Sequence, residues 1–127
     1  MTETKVVQTV KGAVDITSWA ASCAAGTGEG LCLVTALSPQ AGILVADGDP
    51  RAVEDLLEDM EHLFPGRSSY TAAKPPHESA AAIKSAVCCA AKVLPVEQGR
   101  LVQSVNQRLL AVSYCGGGEC ELAVTII

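Results

Sequence analysis

The apolar positions of the chain first recur with a short period. From Lys5 to Gly12 they alternate loosely, and Val6, Thr9 and Val10 favour extended backbone. Gly12 permits a turn into a second extended piece, Ala13 to Ile16, so a hairpin is expected. Thr17 or Ser18 is placed to cap a short helix, Trp19 to Ala25, which the run Gly26-Thr27-Gly28-Glu29-Gly30 stops. Apolar stretches at Leu31 to Ala36 and Gly42 to Ala46 read as buried strands parted by Ser38-Pro39. Asp47-Gly48-Asp49-Pro50 is a turn into the clearest helix: Asp49 is its natural N-cap, and Pro50 suits the first helical position, where a missing N–H leaves no bond unmade. Val53, Leu56, Leu57, Met60, Leu63 and Phe64 follow at helical spacing, with Arg51, Glu54, Asp55, Glu58, Asp59 and Glu61 mostly on the other side. That acidic side reads as a solvated face rather than as paired catalytic carboxylates.

Pro65-Gly66 ends this helix, and Arg67 to His77, rich in Ser, Ala, Lys and Pro, reads as a surface loop of the kind that lines sites. Ser79 is expected to cap a further helix through Ile83, Ala86, Val87 and Ala90. Its small residues allow close approach, and Lys84 falls on its more polar side. Lys92 to Val96 reads as a strand interrupted by Pro95, Glu97-Gln98-Gly99 as a turn, and Arg100 to Val105 as another extended piece. The last two strands, Gln107 to Cys115 and Cys120 to Ile127, are expected to form a hairpin through Gly116-Gly117-Gly118-Glu119. This order predicts an α+β fold, an antiparallel sheet system with helices packed on it, rather than alternating βα units.

Length bounds the picture: 127 residues make one domain with enough surface to bury a core unaided. The residues are 49% hydrophobic but only 3% aromatic, so that core is built from Ala, Val, Leu and Ile and its layers are thin. A net charge of -5, with no face that concentrates Lys or Arg, argues against nucleic acid as a partner. The polar start Met1-Thr2-Glu3-Thr4-Lys5 precedes no long apolar run, which predicts no membrane association and a cytoplasmic location. In that compartment the six cysteines are expected to be reduced.

The candidate chemistry is sparse. A glycine-rich loop that holds phosphate leaves a strand and opens a helix, whereas the run at Gly26 to Gly30 leaves a helix and enters a strand, so it reads as a connector. Cys115 and Cys120 are expected to face one another across the final hairpin, near disulfide reach. They supply only half of a tetrahedral zinc site, and no second cysteine pair has ligand spacing, so neither metal nor cofactor is expected. Cys88 and Cys89 diverge by about a hundred degrees on a helix. Cys23 and Cys32 read as core filler, and His62 as a surface residue. His77 stands in the long loop.

Taken together, Asp49-Pro50 with Asp55 in the second helical turn, Ile83-Lys84-Ser85, Leu94-Pro95-Val96, Gly99-Arg100-Leu101 and Gln107 resemble the YjbQ-like family, also called secondary thiamine-phosphate synthases. The resemblance runs from about Gly30 to the C-terminus. It implies a compact, mostly antiparallel β-sandwich with two to three packed helices, a homotrimer with clefts at subunit boundaries, and a weak thiamine-phosphate synthase activity. Carried over by position, the ligand-binding residues are Asp49, Asp55, Lys84, Arg100 and Gln107, with His77 as a candidate stand-in imidazole. The departures are as informative. Where the family has a histidine at the end of the strand before the Asp-Pro helix, this chain has Leu37-Ser38-Pro39; a second histidine position holds Ala82, and a third falls near Thr71 or Ala72. The Asn-Glu pair ahead of the Asp-Pro turn is Val45-Ala46, and the Trp before Gln107 is Asn106. Imidazoles are what proton transfer near neutral pH or metal ligation would use.

Three functions follow as expectations. The first is a non-catalytic or function-shifted trimer that binds a small molecule. The second is a weak thiamine-phosphate synthase-like enzyme that uses Lys84, Arg100 and Asp55 around an anionic, phosphorylated small molecule. The third is thiol redox chemistry at Cys115 and Cys120.

Overall fold

A computed structural model describes residues 1–9 and 12–127; Val10 and Lys11, the end of the first predicted strand, lie outside the described residues. The elements are β1 (Thr2–Thr9), β2 (Ala13–Asp15), α1 (Thr17–Ala24), β3 (Gly30–Ala36), β4 (Ala41–Asp47), α2 (Pro50–Leu63), α3 (Pro76–Cys88), β5 (Ala91–Glu97), β6 (Arg100–Leu101), β7 (Gln107–Ser113) and β8 (Gly118–Ile126). They form two antiparallel sheets, one of five strands in the order β1-β8-β3-β5-β6 and one of three in the order β2-β7-β4. The α+β fold is as the sequence predicts.

The sheets face each other across the main core. Cys32, Val34 and Ala36 of β3 and Cys120, Leu122 and Val124 of β8 meet Ile43 of β4 and Leu109 and Ala111 of β7 there, with Ala20, Cys23 and Ala24 of α1 joining them. Alternate residues of β7 point the other way. Leu110, Val112 and Tyr114 join Leu44 and Ala46 of β4 beneath α2 and α3, where Met60, Val53, Leu56, Leu57 and Ala81 complete a second apolar layer. The uninterrupted run Leu109 to Val112 is therefore the signature of a strand covered on both faces.

Two expected hairpins are instead crossings between sheets. β1 pairs with β8 and β2 with β7, while β7 and β8 themselves lie in different sheets. Each strand covers more apolar surface by entering its own layer than by folding back on its chain neighbour. The glycines serve that crossing. Gly117 has φ of 130°, and a Cβ there would stand 3.2 Å from the Thr9 carbonyl oxygen. Cys115 is consequently exposed and Cys120 buried in the main core, both as free thiols, so they do not face one another across a ladder.

Smaller differences have local causes. Neither Thr17 nor Ser18 caps α1: Thr17 is its first residue, its hydroxyl accepts from the Leu109 N–H at 2.8 Å, and its own N–H donates to Asp15 Oδ1 at 2.9 Å. β5 runs unbroken through Pro95. The Pro95 carbonyl accepts from Val102 N–H, so its ring nitrogen faces the same side, where the β6 ladder ends at Leu101 and no bond is lost. The extended piece expected from Arg100 to Val105 shrinks to Arg100–Leu101, because Gln107 Oε1 accepts from Ser104 N–H at 2.9 Å and turns the chain into β7.

α2 matches its prediction closely, with Asp49 Oδ1 accepting from Arg51 N–H at 2.9 Å and Pro50 at the first position. α3 starts earlier than expected, at Pro76, with Pro75 extended before it. His77 is therefore in a first helical turn and not in the loop, because a proline at that position has no N–H left unmade. Ser79 lies inside the helix and is buried, so it is no cap. No described helix is long and apolar enough to cross a membrane.

Candidate functional site

α3 is rich in alanine and carries no strong apolar stripe, so its sequence does not settle which side turns inward. The structure places Ala80, Ala81, Lys84 and Ser85 inward. Ser85 is drawn close enough to β4 for its hydroxyl to donate to the Ala41 carbonyl at 2.6 Å. Lys84 is therefore not on a polar side: its side chain is only 2% exposed and pairs with Glu61 in the last turn of α2, which remains 63% exposed. A buried ammonium without a partner would be costly, and the Glu61 carboxylate is its only hydrogen-bond acceptor among the described residues.

Tyr114 directly follows β7, beside this pair. Its hydroxyl is buried near Cys88 but makes no hydrogen bond of ordinary geometry among the described residues. Burial, reinforced by the neighbouring thiols, pushes its ionisation far above the usual tyrosine range. Two cavities meet here. One, of about 290 Å³, is lined by Leu57, Glu58, Met60, Glu61, Lys84 and Val112 among others; the second, of about 250 Å³, by Glu61, His77, Ala80, Lys84 and Cys115 among others. Tyr114 and Gly116 border both. Desolvation and the Glu78 charge push the exposed Cys115 thiol up, against the opposing charge of Lys84.

A further cleft, of about 270 Å³, opens between the segment before α3 and the helix itself. Tyr70, Thr71, Ala72, Lys74, Ser79, Ala82 and Ile83 line it. It thus gathers Thr71, Ala72 and Ala82, positions where the family resemblance places imidazoles, and adds the buried Ser79 hydroxyl, which has no hydrogen-bond partner among the described residues. Leu37 is elsewhere, exposed at the end of β3.

The carried-over residues do not converge. His77 and Lys84 share one cavity. Asp49 borders an open cleft with Asp15, Asp47, Asn106 and Arg108, and its carboxylate is engaged as the α2 cap. Gln107 neighbours that cleft but is held in the Ser104 turn. Asp55 is exposed on α2, and Arg100 is exposed on β6, the outermost strand of the larger sheet. At the Asp49 cleft Arg108 Nε pairs with Asp15 Oδ2 at 2.7 Å. Burial raises the Asp15 carboxyl, but hydrogen bonds from Arg108 and Thr17, with the Arg108 charge, outweigh it and hold the group below its ordinary value. Among the described residues no three His, Cys, Asp or Glu side chains are grouped to hold a metal ion.

Sequence reasoning missed Glu61 and Tyr114. Glu61 sits in an acidic run whose members look alike on a helical wheel, and nothing marks the one that reaches Lys84. Tyr114 left a faint signal, a ring at the end of an apolar strand in a chain with very few rings.

Comparison with known proteins decides the family. The model of the family described as UPF0047 protein YjbQ-like matches residues 2–127. The chain belongs to the YjbQ-like family. A UPF0047 protein of Archaeoglobus fulgidus is 29% identical to this YjbQ-like chain over 103 residues, 81% of each chain. A solved YbjQ-like protein of unknown function from Sulfolobus solfataricus superposes with a TM-score of 0.90 at 21% identity, over 99% of this chain and 95% of the other. A conserved hypothetical protein from Thermus thermophilus gives 0.88 at 26% identity, over 98% and 99%. The YjbQ-like sandwich expected from the sequence is thus the fold observed.

Proposed function

We propose that this protein is a function-shifted YjbQ-like homotrimer, cytoplasmic, that binds a small anionic molecule without catalysing thiamine-phosphate synthesis. The carrying observation is the cleft at Thr71, Ala72 and Ala82, which gathers imidazole positions of the family and offers no imidazole. Without those rings it has no group that exchanges protons near neutral pH, while apolar lining and Lys74 suit binding. The trimer reading draws support from the outward face of the five-stranded sheet. Leu31 and Leu33 of β3 pair there with Pro95 and Val93 of β5, and Leu31 and Val93 are exposed. Purified protein assayed with thiamine-pathway substrates should show no turnover, and turnover at rates typical of the family would reject the proposal. Sedimentation should give three chains per particle, and Val93→Glu should shift it to one.

A second reading, a weak thiamine-phosphate synthase-like enzyme acting on a phosphorylated small molecule, is favoured by the cation Lys84 held at the floor of a cavity with His77. It requires that Lys84→Met abolish any turnover found.

A further inference from the structure

We infer that Glu61 is a built-in occupant of the Lys84 site, a side-chain carboxylate that a carboxylate-bearing small molecule displaces in order to bind. This rests on the reading of the protein as a binder of small anions, but it places the anion at Lys84 rather than in the Thr71, Ala72 and Ala82 cleft and names the ligand class and an internal competitor.

The argument starts from unequal burial. Lys84 is 2% exposed and Glu61 63% exposed, so swinging Glu61 outward returns an already hydrated carboxylate to water, whereas it leaves the ammonium stranded. The pair therefore opens readily only when another anion takes the vacated place. Position supplies the second step. Glu61 and Lys84 line both the cavity of about 290 Å³ and that of about 250 Å³, so the Glu61 side chain lies where the two adjoin. With Glu61 turned away they become one space, of the size that small-molecule sites usually have, with Lys84 at its base.

The lining selects the ligand. Leu57, Met60 and Val112 on one side and Ala80 on the other offer apolar contact to a short hydrocarbon body. The charged and titratable groups that face Lys84 are Glu58 and Glu61 from α2, His77 from α3, and Tyr114 and Cys115 beyond the end of β7; Glu78 acts on Cys115. One ammonium with Glu58 beside it favours a single negative charge over a phosphate dianion. The matching chemistry is an aliphatic monocarboxylate.

A competitor that fills the site most of the time weakens apparent affinity by the fraction of time the site stands open. Hexanoate, and separately inorganic phosphate, would be titrated into the ¹⁵N-labelled full chain, following backbone amide shifts. Wild type should bind hexanoate weakly, with shifts at Ala80, Lys84 and Gly116. Glu61→Gln should bind it about tenfold or more tighter, and Lys84→Met should lose those shifts. Glu61→Ala provides the same release should the glutamine variant prove poorly folded. Hexanoate binding in either Glu61 variant no tighter than in wild type overturns the inference, as does its survival in Lys84→Met. Phosphate binding more tightly than hexanoate overturns the ligand class. Shifts confined to Tyr70–Lys74 and Ala82 would remove this inference and leave the binding proposal standing, whereas no anion binding in any variant removes both.

Discussion

The ring of Tyr114 lies across Gly42, so that a Cβ at position 42 would come within 3.0 Å of the ring edge, of the tyrosine hydroxyl and of the Cys89 carbonyl oxygen. This contact sets how closely the end of α3 approaches the smaller sheet. Gly42→Ala should destabilise the protein by about 1–3 kcal/mol through overpacking, measured by urea unfolding. Tyr114→Phe removes a buried hydroxyl that has no partner among the described residues, so it should be neutral or slightly stabilising. It should also relieve part of the Gly42→Ala cost, since one of the three close atoms disappears; strict additivity in the double variant would count against the contact.

The Lys84–Glu61 pair should respond asymmetrically. Glu61→Ala strands a buried charge and should lower stability by about 1–3 kcal/mol. Lys84→Met replaces the ammonium with an apolar chain of similar length in apolar surroundings and should leave stability within about 1 kcal/mol of wild type, or above it. Equal losses from the two changes would show that Lys84 is not buried as described.

Asp15 gives an acid-side signature. Its folded carboxyl titrates below its ordinary 3.8, so its contribution is fully present above that value and is lost as pH falls through the lower folded value. Arg108→Met removes the main opposing interactions, and its stability deficit should be constant near neutral pH and shrink below about pH 4. A deficit that does not change down to strongly acid pH would exclude the coupling.

Thiol labelling tests the crossing of β7 and β8 between sheets. Cys89 and Cys115 are exposed and should be alkylated first by iodoacetamide, whereas Cys23, Cys32 and Cys120 are buried and should resist. Cys23 is pushed up to about 11 by burial and by the Glu3 carboxylate, to which its thiol donates at 2.9 Å. Because its folded value is raised from 9.0, stability is unaffected below that pH and should decline as pH rises from there through about 11. Mass spectrometry showing Cys115 and Cys120 labelled at equal rates would contradict their separation.

The sequence by itself determined what short-range chemistry decides. The Asp49 cap, Pro50 at the first helical position and the apolar side of α2 all follow from neighbours within a turn or two of chain. The family framework was legible too, because it rests on residues at fixed separations. Only the tertiary structure decided which strands share a sheet, since Gly116 to Gly118 permit a hairpin and a crossing equally, and the choice depends on apolar area buried by strands distant in the chain. The same holds for Lys84. In an alanine-rich helix local pattern leaves the inward side open, and it was the packing of α3 on β4 beside α2 that buried the ammonium and brought it to Glu61. The clefts arise likewise from meetings of segments far apart in sequence, which no local period encodes.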